Sequence, residues 1–218
     1  MNAKVSKILM AGIAGLLALG LIAQHRPASG PKEAAPSAPE IAAVVDASAT
    51  EPAAVPPPSR EYILAEDSGL LERAAKHLTE SKEKLKKYYG SVDDLNRMNS
   101  ELTDVRAVIL RHTDGDKQEQ DVARRAKGLE PQMAQQVRAL YASSLEEIFI
   151  KNGFDIKVKA TGTELRLTYA LMSKPLVYKF ANEWKLADKA ADYGFTRLVY
   201  TNGFSSSLGE TWTEHVPG

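Results

Sequence analysis

Residues of a type that could do chemistry are few and scattered. The run Gly203-Phe204-Ser205-Ser206-Ser207-Leu208-Gly209 sets three serines in one loop, with His215 downstream and Asp192 upstream. Those are the residue types of a serine nucleophile, a histidine base and an acidic group that orients the base. The spacing departs from a nucleophile elbow, which needs G-x-S-x-G between a strand and a helix. Ser207 stands where the last glycine belongs, and a strand is expected next. The loop reads more simply as a hairpin connection. A second group, His112, Asp114, Asp116, Glu119 and Asp121, carries cation-ligating atoms. It lacks the pattern of a calcium loop, in which a glycine follows the third ligand position and a bidentate glutamate closes the loop. His25 and His77 stand alone. With no cysteine in the chain, disulfides, thiolate metal sites, a cysteine nucleophile and a lipid-modified cysteine are all excluded. No catalytic residue, metal ligand or cofactor is therefore assigned, and the expected class is non-enzymatic.

The aromatic residues point elsewhere. Tyr169, Tyr178, Phe180, Trp184, Phe195, Tyr200 and Trp212 mostly fall at core-compatible positions. Phe204 lies in the serine loop and Trp212 on the last strand, at a possible sheet edge, so these two are the candidate protein-binding residues.

The elements that must position them follow from periodicity. From Leu70 the pattern is helical: Leu71, Ala75, Leu78, Leu85 and Tyr88 form one stripe, and Glu/Lys pairs stand four apart. Gly90 interrupts, Ser91 with Asp94 reads as an N-cap, and a second stripe runs through Val92, Leu95, Leu102, Val105 and Ile109. Leu71, Leu78, Leu85 and Val92 are also seven apart, so residues 61–112 fit either a helical hairpin turning at Gly90 or one long coiled-coil helix. Self-association through this helical segment is a further possible contact. Residues 113–129 are polar and read as a connection with a turn at Asp114-Gly115-Asp116.

Residues 130–218 read as a separate α+β domain. Pro131 suits a first helical residue, and Met133, Val137, Leu140, Tyr141, Leu145, Ile148 and Phe149 make an apolar face that ends at Asn152-Gly153. Phe154 to Ala160 and Leu165 to Leu171 alternate about a tight turn at Thr161-Gly162. A helical segment, Pro175 to Tyr193, is ended by Gly194, and two further strands span residues 195–201 and 210–216. The order helix, strand, strand, helix, strand, strand predicts an antiparallel sheet of about four strands with two helices on one face.

The N-terminus supplies localisation. Lys4 and Lys7 precede an unbroken apolar run of 16 residues, Ile8 to Ala23, which as a helix would measure about 24 Å. Residues 1–26 are therefore a signal-anchor or a signal peptide, with the basic flank left on the cytoplasmic side. Retention gives a single-pass protein of the cytoplasmic membrane with its C-terminal part outside the cytoplasm, in the periplasm; cleavage gives a secreted one. Eight of the eleven prolines lie between Pro27 and Pro58, so residues 27–60 read as a disordered Pro/Ala-rich tether with polyproline II character. With 28 basic and 28 acidic residues the chain is formally neutral, which argues against nucleic-acid binding.

Two resemblances add to this. The run Tyr169-Ala-Leu-Met-Ser-Lys-Pro-Leu-Val-Tyr178, then Gly194-Phe-Thr-Arg-Leu-Val-Tyr-Thr-Asn-Gly203 and Thr211-Trp212-Thr213, resembles the ending of a group of uncharacterised bacterial proteins. It covers roughly the last eighty residues and implies a compact domain without transferring a site. The overall organisation is similar to tethered envelope transducers such as TonB and TolA, from which this chain departs in tether length and strand order. Together these readings imply an envelope accessory protein with a protein partner, an envelope-bridging transducer being the alternative and an envelope hydrolase a more distant one.

Overall fold

The computed structural model describes residues 58–204 and 208–217. The expected membrane segment and nearly all of the tether, residues 1–57, lie outside them. Three long helices come first: α1 (Arg60–Leu85), α2 (Val92–His112) and α3 (Lys117–Lys151). A four-stranded sheet follows, β1 (Lys157–Thr161), β2 (Glu164–Thr168), β3 (Arg197–Thr201) and β4 (Thr211–His215). Between β2 and β3 the chain forms α4 (Lys174–Tyr178), a π-helical turn (Lys179–Glu183) and α5 (Leu186–Ala191). No helix among the described residues is long and apolar enough to cross a membrane.

At Gly90 the chain turns, so the hairpin is the arrangement adopted. The Ser91 hydroxyl accepts from Asp94 N at 3.1 Å and starts α2. Polar rungs hold α1 and α2 antiparallel: Lys84 to Asp94 at 2.6 Å, His77 to Glu101 at 2.6 Å, and Asp67 to Arg111 and His112 at the far end. Leu71, Leu78, Leu95, Leu102 and Val105 are buried. Three members of the expected α1 stripe are not, because α1 stops at Leu85, itself only half-buried, and the buried face runs instead through Ala74, His77 and Ser81. Ala75 is exposed on the helix flank, and Tyr88, beyond its end, is 68% exposed.

The third helix fills the seam of this hairpin and helps to cover Leu71, Leu78, Leu95, Leu102 and Val105. At Gly90 α3 packs tightly on the turn: a Cβ there would sit 2.9 Å from Leu140 Cδ2 and 3.2 Å from its carbonyl oxygen. Ser143 accepts from Gly90 N at 2.9 Å and Ser144 donates to Gly90 O at 2.5 Å. Gln136 donates to Ser81 at 2.9 Å in the interior.

Residues 117–129, expected as a connection, are the first third of α3. Asp116 caps the helix by accepting from Gln118 N and Glu119 N, and Glu119 returns the bond to Asp116 N, a complete capping box. Val122, Ala123 and Ala126 are buried on its inner face. Pro131 is therefore an interior residue rather than a first one. It and Lys127, whose carbonyl loses its helical donor, are both exposed, so water can satisfy that oxygen. The expected domain boundary at residue 130 thus falls inside a continuous helix, and residues 60–218 form one compact unit.

The C-terminal half of α3 carries the sheet. Phe149 is 1% exposed and meets Phe180 and Trp184, with ring centroids 5.7 and 6.1 Å away; Tyr141 meets Tyr193 and Phe195 at 4.5 and 5.7 Å. Sheet order is β1-β2-β3-β4, and it is mixed rather than antiparallel. β1 pairs antiparallel with β2 across Gly162-Thr163, with Gly162 at φ +58°. β2 pairs parallel with β3, and β3 antiparallel with β4. The reason is the connection from residue 169 to 196. Its helical pieces carry the chain back across the sheet to the starting end of β2, and such a crossover produces parallel neighbours. The expected single helix over residues 175–193 is broken at Lys185, which adopts φ 49° and ψ 48°.

Register gives the sheet two faces. Val158, Ala160, Leu165, Leu167, Leu198 and Tyr200 point to the helices, with Trp212 and Glu214 continuing that face on β4. Lys157, Lys159, Arg166, Arg197, Thr213 and His215 stand on the opposite face and are exposed.

Candidate functional site

The candidate site is the β4 edge and the loop before it. Asn202 builds the loop: its side-chain oxygen accepts from Phe204 N at 3.2 Å and Glu210 N at 3.0 Å, and its amide donates to Leu208 O at 2.8 Å. Thr201 Oγ1 accepts from Gly203 N at 3.1 Å, while Gly203 turns the chain at φ +78°. Both ends of the loop are moored, and its apolar side chains are left outside: Phe204 is 55% exposed and Leu208 74%. Trp212 is half-buried on β4, directly across from Tyr200.

Tyr200 anchors the strand. It is fully buried, stacks on Phe180 with ring centroids 5.9 Å apart, and donates to Glu214 Oε2 at 2.8 Å. Burial and the neighbouring carboxylate push its phenol well above the usual tyrosine range. Glu214 thereby ties β4 to the core, although none of the five β4 residues is itself buried.

The backbone of β4 faces outward. Asn202 N bonds Glu210 O and Val216 N bonds Thr196 O. Bonded pairs alternate along an antiparallel ladder, so the even-numbered residues of β4 are the ones bonded to β3. The N–H and C=O groups of Thr211, Thr213 and His215 then point away from the sheet, and among the described residues nothing pairs them.

The other edge differs in kind. Lys157 and Lys159 flank Val158 on β1, and the outward N–H of Val158 is taken by Glu146 Oε2 at 2.7 Å. Edge lysines and a blocked donor are standard obstacles to further pairing. β4, with the sequence Thr-Trp-Thr-Glu-His, has neither a lysine nor a proline.

Sequence-predicted residues are distributed as follows. Trp212 is half-buried on β4, and Phe204 is exposed in the loop that precedes that strand. Ser205, Ser206 and Ser207 lie outside the described residues. His215 is exposed on the solvent face of β4, and Asp192 follows α5, where its charge acts on Tyr193 and Tyr141. The expected polar group is split: Asp116 and Glu119 cap α3 and pair with Arg60, whereas His112 is buried against Asp67 at 2.7 Å. His77 bonds Glu101. No group of three or more His, Asp or Glu able to hold a metal occurs among the described residues.

Glu164 links the two inner strands on the solvent face, bonding Arg197 across the sheet and Arg166 on its own strand at 2.9 Å. The Arg197 bond, followed by Arg166, holds its carboxyl below the ordinary glutamate range although burial pushes it up. A depressed folded-state pKa adds stability above the unfolded value of about 4.3 and loses it as pH falls through the folded one. The melting temperature of Glu164→Gln is thus expected below wild type at neutral pH, with the gap closing under about pH 4. Thermal melts across pH check this, and a gap undiminished in acid would contradict it.

Compared with protein-family models, curated proteins and solved structures, the chain matches none.

Proposed function

We propose that the protein is a non-enzymatic, membrane-anchored envelope accessory factor whose folded part binds an extended protein segment along β4. The observation that carries this reading is the asymmetry of the sheet edges. One edge is guarded by lysines and by Glu146; the other offers three free backbone rungs beside Trp212 and Phe204. Strand addition draws affinity from such rungs and specificity from neighbouring apolar contacts. The anchor is the Lys4/Lys7-flanked run Ile8 to Ala23, which places residues 58–218 outside the cytoplasm.

Replacing Phe204 with aspartate is expected to weaken capture of the partner from crosslinked envelope membranes by about thirtyfold or more, the size of a binding hot spot. Circular dichroism should show an unchanged fold. Ser205→Ala, Ser207→Ala and His215→Ala should each leave capture intact. Normal capture by Phe204→Asp, together with loss of turnover of an envelope substrate in the serine or histidine variants, would replace this reading with a hydrolase.

A further inference from the structure

We infer that the segment paired with β4 is β4 of a second copy of this chain, in antiparallel register about a two-fold axis through Thr213. The inference rests on the reading of β4 as a strand-addition edge and names its occupant. In that register Thr213 faces its own counterpart, Thr211 faces His215, and Trp212 faces Glu214. The outward rungs at residues 211, 213 and 215 meet one another, so each opposed pair can exchange both of its backbone bonds. Shifting the axis to Trp212 would set Glu214 against Glu210, and shifting it to Glu214 would set two glutamates opposite each other. Like charges so placed are destabilising. The Thr213 register is the one of the three that avoids acid against acid.

The edges argue for the same occupant. Pairing β4 with β4 gives a continuous eight-stranded sheet, and both of its outer edges are β1, the strand carrying Lys157, Lys159 and the Val158 N–H held by Glu146. Growth stops there. Pairing β4 with β1 instead would be head-to-tail and would leave a free edge at every step, the geometry of an open filament. Guarding β1 while leaving β4 bare closes the assembly at two chains.

The absence of cysteine from the native sequence makes the register directly testable in the full-length, membrane-embedded chain. A single Thr213→Cys would place two sulfurs on opposed residues whose Cα atoms are about 5.5 Å apart. A short homobifunctional thiol-alkylating reagent, which forms one thioether with each cysteine, is then expected to convert most of the chain to a covalent dimer. Thr211→Cys alone should not crosslink, because its two copies stand four residues out of register, about 13 Å apart. Mixing Thr211→Cys chains with His215→Cys chains should restore the product. Lys159→Cys on β1 should give background only. Independently, Thr213→Lys puts two like charges on the axis, and native mass spectrometry should show it largely monomeric where wild type is dimeric. No Thr213→Cys product combined with a monomeric wild type would overturn the inference. In that event, loss of partner capture by Phe204→Asp and Thr213→Pro would leave the strand-addition reading standing with a different occupant, and retention of capture by both would remove that reading as well.

Discussion

A fragment starting at Glu130 is expected to remain unfolded or insoluble, while Arg60–Gly218 unfolds in one cooperative transition. The cut at residue 130 removes the capping box at Asp116 and the first turns of α3, together with both partners of its remaining inner face. Met133, Val137 and Leu140 are 0, 1 and 2% exposed on a helix that packs on α1 and α2 as well as on β1. Each such side chain contributes about 1.5–3 kcal/mol on burial. Exposing these three, and with them the Gln136 and Ser144 sites that bond Ser81 and Gly90, forfeits an amount comparable to the whole stability of a domain, about 5–15 kcal/mol. Far-ultraviolet circular dichroism of both pieces against temperature is the measurement. A sigmoidal melt of the short fragment would show that the sheet and the end of α3 form a unit on their own.

How much of this was legible depended on how local the determinant was. Ser91 and Gly90 stand beside the turn they make, and the hairpin was already one of two arrangements the sequence allowed. The four strands could be placed to within a few residues, since Val158, Leu165 and Leu167 alternate with polar neighbours, and Leu198-Val199-Tyr200-Thr201 and Thr211-Trp212-Thr213 are runs of the β-branched and aromatic residues that strands favour. The start of α3 was also written locally, as Asp116-Lys-Gln-Glu119, yet the charges around Val122, Ala123 and Ala126 hid a narrow face of small residues. Strand direction was not legible. Hairpins at both ends of the sheet suggested antiparallel pairing throughout, and only the crossing of residues 169–196 over the face makes β2 and β3 parallel. At the site, Phe204 and Trp212 could be picked out because large apolar residues in a loop and on a terminal strand need a reason to be there. The guard on β1 could not, because Glu146 reaches Val158 from another element.

The same distance effect hides the polar cluster whose removal should be most damaging. Asp67, on α1, accepts from Arg111 at 2.6 Å through both carboxylate oxygens and bonds His112 Nε2 at 2.7 Å, while being only 3% exposed. His112 is 2% exposed, and its Nδ1 is buried without a partner. Asp67→Ala therefore strips the imidazole of its one bond inside the helical layer and leaves the Arg111 charge without a counter-ion. Breaking a buried pair by deleting one partner typically costs 3–5 kcal/mol. Arg111 is half-exposed and can turn to water, so a loss near the lower end, about 3 kcal/mol, is expected. For a chain of this size that is a drop of roughly 6–12 °C in melting temperature. Asp67→Asn should lose less, since its amide oxygen still accepts one bond. Replacing Asp67 and His112 together with leucine should recover much of the loss, because a packed apolar pair removes the need for the missing acceptor. Urea unfolding of the four proteins decides the point. An Asp67→Ala variant within about 0.5 kcal/mol of wild type would mean that the Asp67 cluster contributes nothing to the hairpin, which the apolar seam and the Lys84–Asp94 and His77–Glu101 rungs then hold.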